Sequence, residues 1–530
     1  MKQLLFILLG CISFSLFGAN TEGNIYWIQL NIKAGTPYSI SKPEFYLSTE
    51  AIERRKRQGI KIDSTDLPVN PVLVDSLHSL GFTIKHTSRW MNGVIASLPY
   101  AIDINSIKLP SFVKSVEVRK NSTLKSSSIK LNETDSLTES YYGSSDNQIT
   151  MLNGQLLHNY SKGKGVKIAV IDAGFLNVDS LEVFNPIVAR NGILGTCDFV
   201  NPGGDVYKEH HHGTNVLSII AANQPGKLVG TAPEASYWLL RSEDADNEYP
   251  LEEDYWIIAA EFADRVGCSV INSSLGYTVF DDSTFDHNYE EFTGDSLRIS
   301  KAANIAVKKG IVVVCSAGND GNKTWHYLSA PAEARDVLCV AAVDGQGNYA
   351  PFSSYGFGNA EVPKPDIAAK GSGTAIINSS GFYSSGSGTS FSAPVISGLA
   401  ACLVGIYPDS SATSIIRMIR EAGNLYPEHN DSLGYGLPNF EKLVGQKTGS
   451  KPISTENVQL KIYPNPCTDQ IIVTGNTGIE KVSIFSCDGR LLISTENKSR
   501  VIPVKELPQG VYIVKIRNKT KEQTFKLIKK

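Results

Sequence analysis

The sequence predicts a multidomain α/β protein: a parallel sheet flanked by helices, preceded by a small α/β domain and followed by a small all-β sandwich. Three observations carry this. Between residues 149 and 446, short and nearly continuous apolar runs alternate with helical patterns, as strands covered on both faces alternate with their crossover helices. Before them lies a shorter mixture of strand and helix signals, set off by a polar stretch. After residue 458, period-2 strands and turn dipeptides take over. A chain of 530 residues is too long for one core. Its net charge of −3 gives no reason to expect nucleic acid or an anionic membrane as a partner.

The N-terminus reads as an export signal. Met1-Lys2 precedes an apolar run from Leu4 to about Phe17, then the small residues Gly18 and Ala19 and the polar Asn20-Thr21. A signal peptide over residues 1–19 is therefore expected. The run is short for a membrane span of roughly 20 apolar residues, and no other segment reads as apolar enough. Leu8-Leu9-Gly10-Cys11 loosely resembles a lipobox, but the apolar stretch continues past Cys11. Eight cysteines, seven without Cys11, do not make a disulfide scaffold. Cys315, Cys339 and Cys402 sit in apolar runs as small hydrophobes. Cys467 and Cys487 share the last module, and their pairing is left open.

Residues 20–120 form the first domain. Its strands are expected at Tyr26 to Ile32, Thr83 to His86, Gly93 to Leu98 and Val113 to Val118, with helices at Ser48 to Gln58 and Pro71 to Leu80. Arg54-Arg55-Lys56-Arg57 reads as a solvated helix face rather than a processing site. Residues 121–148, rich in Ser, Thr and Asn, read as an exposed and cleavable linker.

In the large block, strands are expected at Val166 to Ile171, Tyr237 to Leu240, Val270-Ile271, Ile311 to Val314 and Val337 to Val343. Helices are expected at Thr214 to Ala222, Leu251 to Val266, Leu297 to Lys309 and Ala393 to Ile406. Ligands of such folds bind outside the carboxyl ends of the strands, so polar residues just past those runs are where chemistry belongs. The first run ends in Asp172-Ala173-Gly174, where an Asp alone could be a turn cap. His212-Gly213-Thr214-Asn215-Val216 leads into a helix. Glu209-His210-His211-His212 is a poor metal cluster, because adjacent histidines cannot all face one ion. Gly388-Thr389-Ser390-Phe391-Ser392-Ala393-Pro394 opens another helix, where Ser390 alone reads as an ordinary N-cap.

Taken in chain order, D-x-G, H-G-T-x-V and G-T-S-x-S-x-P resemble the motifs of the subtilisin-like serine proteases. The resemblance spans the whole block. Asn272-Ser273-Ser274-Leu275-Gly276, Ser316-Ala317-Gly318-Asn319, Gly230-Thr231-Ala232-Pro233 and Ser329-Ala330-Pro331-Ala332 match further segments. It implies a subtilisin-like fold and a serine endopeptidase with Asp172, His212 and Ser390 as catalytic triad. It also implies Asn319 as oxyanion donor, and Ser274, Leu275, Gly276, Ala317 and Gly318 as the substrate-binding walls. The substrates would be polypeptides, with large apolar side chains before the scissile bond as the default. Two positions depart from the family: Ala173 stands where Ser or Thr is usual, and Asn215 where a second His is frequent. Neither removes a triad atom. An inactive protease scaffold used for binding, and an esterase, are the rival readings.

The family also implies that residues 20–120 are a propeptide that assists folding and inhibits the enzyme until cleaved. No organic cofactor is required. Calcium is left open: the acidic stretch from Asp281 to Asp295 lacks a D-x-[DN]-x-[DN]-G loop, although the family often uses that ion for stability. Beyond a linker at residues 447–457, the last module, 458–530, has strand-like segments at Ile471 to Thr474, Lys481 to Ser486 and Val511 to Arg517. Its Tyr463-Pro464-Asn465-Pro466, Asp488-Gly489-Arg490 and Gly510-Val511-Tyr512 resemble the C-terminal sorting domain of the type IX secretion system of Bacteroidetes. That implies the type IX machinery as a partner and passage through the periplasm and outer membrane of a Gram-negative bacterium.

Overall fold

The computed structural model describes residues 22–120, 132–133, 140–357, 362–444, 461–474, 479–486, 490–495, 500–518 and 522–530. The expected signal peptide, Cys487, the Asp488-Gly489 turn and the linker 447–457 lie outside these residues.

The first domain is a four-stranded antiparallel sheet, β1 (Glu22–Leu30), β2 (Thr83–Ser88), β3 (Gly93–Pro99) and β4 (Val113–Lys120), in the order β2-β3-β1-β4. Two helices accompany it, α1 (Thr49–Arg57) and α2 (Pro71–Ser79). Ser48 caps α1 by accepting the Ala51 N–H, and Pro71 follows the Asn70 cap of α2. Alternation along the strands gives the sheet two apolar faces. Tyr26, Ile28, Leu30, Val94, Ala96 and Leu98 form the domain's own core with Leu77 and Phe82. Ile25, Trp27 and Ile95 instead join the core of the larger domain.

The basic run on α1 is where the structure departs most from the sequence reading. Lys56 and Arg57 are exposed, but Arg54 and Arg55 are each only 1% exposed. Arg54 pairs with Asp264, and Arg55 lies 2.7 Å from Asp66 and 2.8 Å from Asp264. Arg89 reaches the same Asp264 at 2.6 Å. Burial opposes ionisation of Asp264, but Arg55, Arg89 and Arg54 outweigh it and hold that carboxyl below its usual range. Four adjacent basic residues reveal a charged helix. They do not reveal an acidic surface some 200 residues further on.

The large domain has a seven-stranded parallel sheet: β5 (Lys167–Asp172), β6 (Ile193–Asp198), β7 (Ser236–Arg241), β8 (Val270–Ser273), β9 (Val312–Ser316), β10 (Leu338–Val343) and β11 (Ile367–Lys370). Its order is β11-β10-β9-β8-β5-β7-β6. Edge strands β6 and β11 were not foreseen: β6 alternates between half-buried and exposed positions, and β11 is four residues long. The chain goes from β5 to the edge strand β6, returns through β7 between them and then crosses to β8, so the strand order reverses at the carboxyl ends of β5 and β8. Helices α3 (His212–Ala221) and α6 (Thr389–Ile406) pack together, as do α4 (Leu251–Arg265) and α5 (Arg298–Lys308). The first domain's sheet lies on the second pair, with the Arg298 guanidinium 4.4 Å from the centre of the Trp27 ring.

Two further readings change. Helix α6 is long and apolar enough to cross a membrane, but it is almost entirely buried inside the protein. Ser145 and Gln148, assigned by composition to the polar linker, are also buried. Ser145 Oγ donates to the Val229 carbonyl at 2.7 Å, and Gln148 exchanges two hydrogen bonds with the Ala375 backbone. Their polarity serves the interior of the fold.

The last module comprises two antiparallel sheets. Lys461–Tyr463, Gln470–Thr474 and Val501–Pro503 form one; Leu491–Thr495, Ile479–Ser486, Gly510–Asn518 and Glu522–Lys529 form the other. Ile471, Val473 and Ile502 of the first share a core with Val482, Ile484, Val514, Ile516 and Leu527 of the second.

Candidate active site

Asp172 is the last residue of β5 and fully buried, a position that normally disfavours a carboxylate. Its Oδ1 accepts the Ala173 N–H at 2.8 Å and lies 2.8 Å from His212 Nδ1. Its Oδ2 has no hydrogen-bond partner among the described residues. Ala173, lacking a hydroxyl, offers only its backbone.

His212 is the first residue of α3. Burial of its ring works against protonation, but the Asp172 charge, their hydrogen bond and the Glu243 carboxylate together raise its pKa above the usual value. Burial lowers the pKa of both His210 and His211, whose rings lie 4.2 Å apart. Among the described residues, no three His, Cys, Asp or Glu side chains are grouped to hold a metal.

Ser390 is the second residue of α6, with Gly388 as N-cap, so the helix begins four residues before the expected Ala393. Ser390 stands in the first turn, at the positive end of the helix dipole. The Phe391 ring lies 5.8 Å from that of His212, so the start of α6 meets the start of α3.

The segments past β8 and β9 are tied to the same point. Ser274 Oγ accepts from Asn272 Nδ2 at 3.0 Å and donates to the Ser390 carbonyl at 2.9 Å. Its hydroxyl is thereby engaged, which ties the segment past β8 to the start of α6. Thr389 ties the segment past β9 to the same helix start. Its Oγ1 accepts the Gly318 N–H at 3.1 Å, while its own N–H donates to Asn319 Oδ1 at 2.8 Å. With the amide oxygen held there, Asn319 Nδ2 is turned away from Thr389 and can donate elsewhere. Ala317 is buried and donates its N–H to the Val340 carbonyl. All nine residues expected at the site thus stand on three neighbouring strand ends and the starts of two helices.

Sequence reasoning passed over Glu243 and Thr389. Glu243 stands two residues past β7, and its Oε2 accepts from the Tyr277 hydroxyl at 3.4 Å. Burial and the Asp172 charge push its carboxyl up to about 7. The strand-end rule would have found it had it been applied to β7. The acidic stretch left open for calcium engages carboxylates locally: Asp286 accepts the Phe280 N–H, Asp282 caps Thr284, and Asp295 pairs with Arg335.

A model of the subtilase family matches residues 163–436, one of the peptidase S8 propeptide domain of Bacteroidota matches residues 25–135, and one of the secretion system C-terminal sorting domain matches residues 461–530. Thermitase of Thermoactinomyces vulgaris is 32% identical over 46% of this chain and 76% of its own length. Subtilisin DY of Bacillus licheniformis is 31% identical over 52% of this chain and 88% of its own. The thermostable alkaline protease of Halalkalibacterium halodurans is 30% identical over 52% of this chain and 66% of its own.

Proposed function

The chain belongs to the subtilase family as a subtilisin-like serine endopeptidase, and we propose that it hydrolyses peptide bonds through an acyl-enzyme on Ser390, as a precursor that removes its own propeptide. The observation that carries this reading is the 2.8 Å contact between buried Asp172 and His212, set against the helix start that bears Ser390. A serine hydroxyl is a weak nucleophile at neutral pH and needs a base in the transition state. With Nδ1 directed at Asp172, His212 presents Nε2 to take the Ser390 proton and later return it to the leaving amine. Asp172 fixes the tautomer and stabilises the imidazolium. Asn319 Nδ2 and the dipole of α6 face the oxygen on which negative charge develops. Only protons and one acyl group move, so the chemistry calls for no cofactor.

The propeptide domain and the sorting domain give the rest of the life history. The sorting domain marks the chain for secretion or surface attachment in Bacteroidota. Its engagement with the type IX machinery, passage through periplasm and outer membrane, and later removal complete the proposal.

A fluorophosphonate probe tests the nucleophile. It labels the self-processed protein at Ser390 and does not label Ser390→Ala. Labelling that persists in that variant would remove Ser390 from the mechanism.

A further inference from the structure

We propose that the last module docks on an anionic lipid surface through the outer face of its second sheet. This goes beyond the sorting reading and stands whether or not that reading holds. It also reverses the expectation, drawn from overall charge, that no anionic membrane is a partner.

Alternation along the strands divides the sheet's side chains between two faces. Val482, Ile484, Val514, Ile516 and Leu527 point into the module's core. Their neighbours along each strand share the opposite face, and the register sets them in rows. Phe485 stands opposite Leu491 and Ile513, and Val511 stands opposite Ile528. Leu491, Val511 and Ile528 are 50%, 43% and 37% exposed, so the face carries an apolar patch in the open. The module meets the large domain through its other sheet, where the rings of Tyr463 and Tyr141 lie 5.4 Å apart. The patch is thereby turned away from the rest of the protein.

Cations border the patch. Lys526 stands opposite Ile513, Lys515 opposite Ser483, and Lys481 opposite Arg517. The Lys515 ammonium lies 5.9 Å from the centre of the Phe485 ring, so the cationic and apolar parts of the face are continuous. Lysines on an edge strand can serve only to keep sheets from pairing. Lys481 and Lys515 stand on the two central strands, so edge protection does not account for them. Residues 461–530 as a whole carry thirteen basic and six acidic side chains. Attraction to phosphate is therefore built into this end of the chain.

The kind of cation favours lipid over an acidic protein. Protein interfaces are enriched in Arg, whose rigid fork pairs with carboxylates, and depleted in Lys. Ten of the module's thirteen cations are lysines. A lysine stem can lie along an apolar surface while its ammonium follows a mobile phosphate. Apolar side chains between such lysines enter the boundary of headgroups and acyl chains, and the two attractions add.

The test is co-sedimentation of the Ser390→Ala precursor, which keeps the module attached, with lipid vesicles. One set contains phosphatidylglycerol and phosphatidylcholine, the other phosphatidylcholine alone. Binding to the mixed vesicles should be about 10-fold or more tighter, and should weaken between about 0.1 M and about 0.5 M salt. Lys481→Gln, Lys515→Gln and Lys526→Gln together should weaken it by about 10-fold or more. Val511→Ser with Ile528→Ser should weaken it at both salt concentrations. Lys505→Gln, exposed on the connection past the first sheet, should change it by less than about 3-fold. Absent binding, or equal binding to both vesicle types, by the unsubstituted precursor overturns the inference even if no variant folds. Undiminished binding by either folded multiple variant also overturns it, as does an equal loss in Lys505→Gln. Capture on polyglutamate beads without vesicle binding would assign the face to an acidic protein and overturn it as well.

Discussion

At the residue scale, the carboxylates facing His212 raise its pKa and, on the proposed mechanism, would set the pH at which it works as a base. His212 accepts a proton only when neutral, so kcat/KM should fall as pH drops through its pKa, which lies above the ordinary value of about 6.5. Glu243 contributes to that elevation, and burial together with Asp172 pushes its own carboxyl up to about 7. Removing its charge removes a stabiliser of the imidazolium, so the His212 pKa must fall. Glu243→Gln should therefore move the acid limb of the kcat/KM profile to lower pH, measured by steady-state hydrolysis across pH 5 to about 9. An unmoved limb would show that Glu243 is not coupled to the base. The positions of Asp172, His212 and Ser390 were legible in the sequence because the first ends a strand and the others stand at helix starts within recognisable runs. Glu243 was passed over, because the burial and the Asp172 charge that distinguish it are supplied by the fold and not by its own run.

At the element scale, α4 is the surface on which the first domain is built. Glu253, Asp254, Glu261 and Asp264 lie on it, and Arg54, Arg55, Arg89 and Arg119 reach them from the other domain. Asp264 serves three of those arginines, so its loss would leave buried Arg54 without a carboxylate and leave Arg55 and Arg89 with only Asp66 and Glu261. Breaking a buried pair from one side costs about 3–5 kcal/mol, whereas an exposed substitution stays within about 0.5 kcal/mol. In a Ser390→Ala background that keeps the precursor whole, Asp264→Ala should lower unfolding free energy in urea by about 3–5 kcal/mol. Lys56→Ala, on the exposed face of α1, is the control. Equal effects of the two would mean the network adds nothing to stability. Helices and central strands were legible here, most within two residues, because apolar periodicity is local. Edge strands β6 and β11 were not, because half-covered strands lose the continuous apolar signal. Nor was the burial of Arg54 and Arg55, which depends on partners far along the chain.

At the scale of the whole molecule, the net charge of −3 conceals an uneven division. Residues 140–444 carry 34 acidic and 19 basic side chains, while residues 22–120 carry 9 acidic and 13 basic. The first domain thus complements the body it covers, in charge as well as through Ile25, Trp27 and Ile95. Overall charge, the only measure available before the chain is divided, cannot show this. The three-part order was visible in the succession of patterns, and it matches the propeptide, subtilase and sorting-domain models in turn. The proposed self-processing by Ser390 would join these parts into one mechanism, and the intact mass of purified precursor beside Ser390→Ala, after identical incubation, tests it most directly. The wild type should lose a fragment ending between about residues 120 and 148, within the polar stretch, while the variant stays whole. Equal masses, with the wild type still uncleaved, would contradict the account.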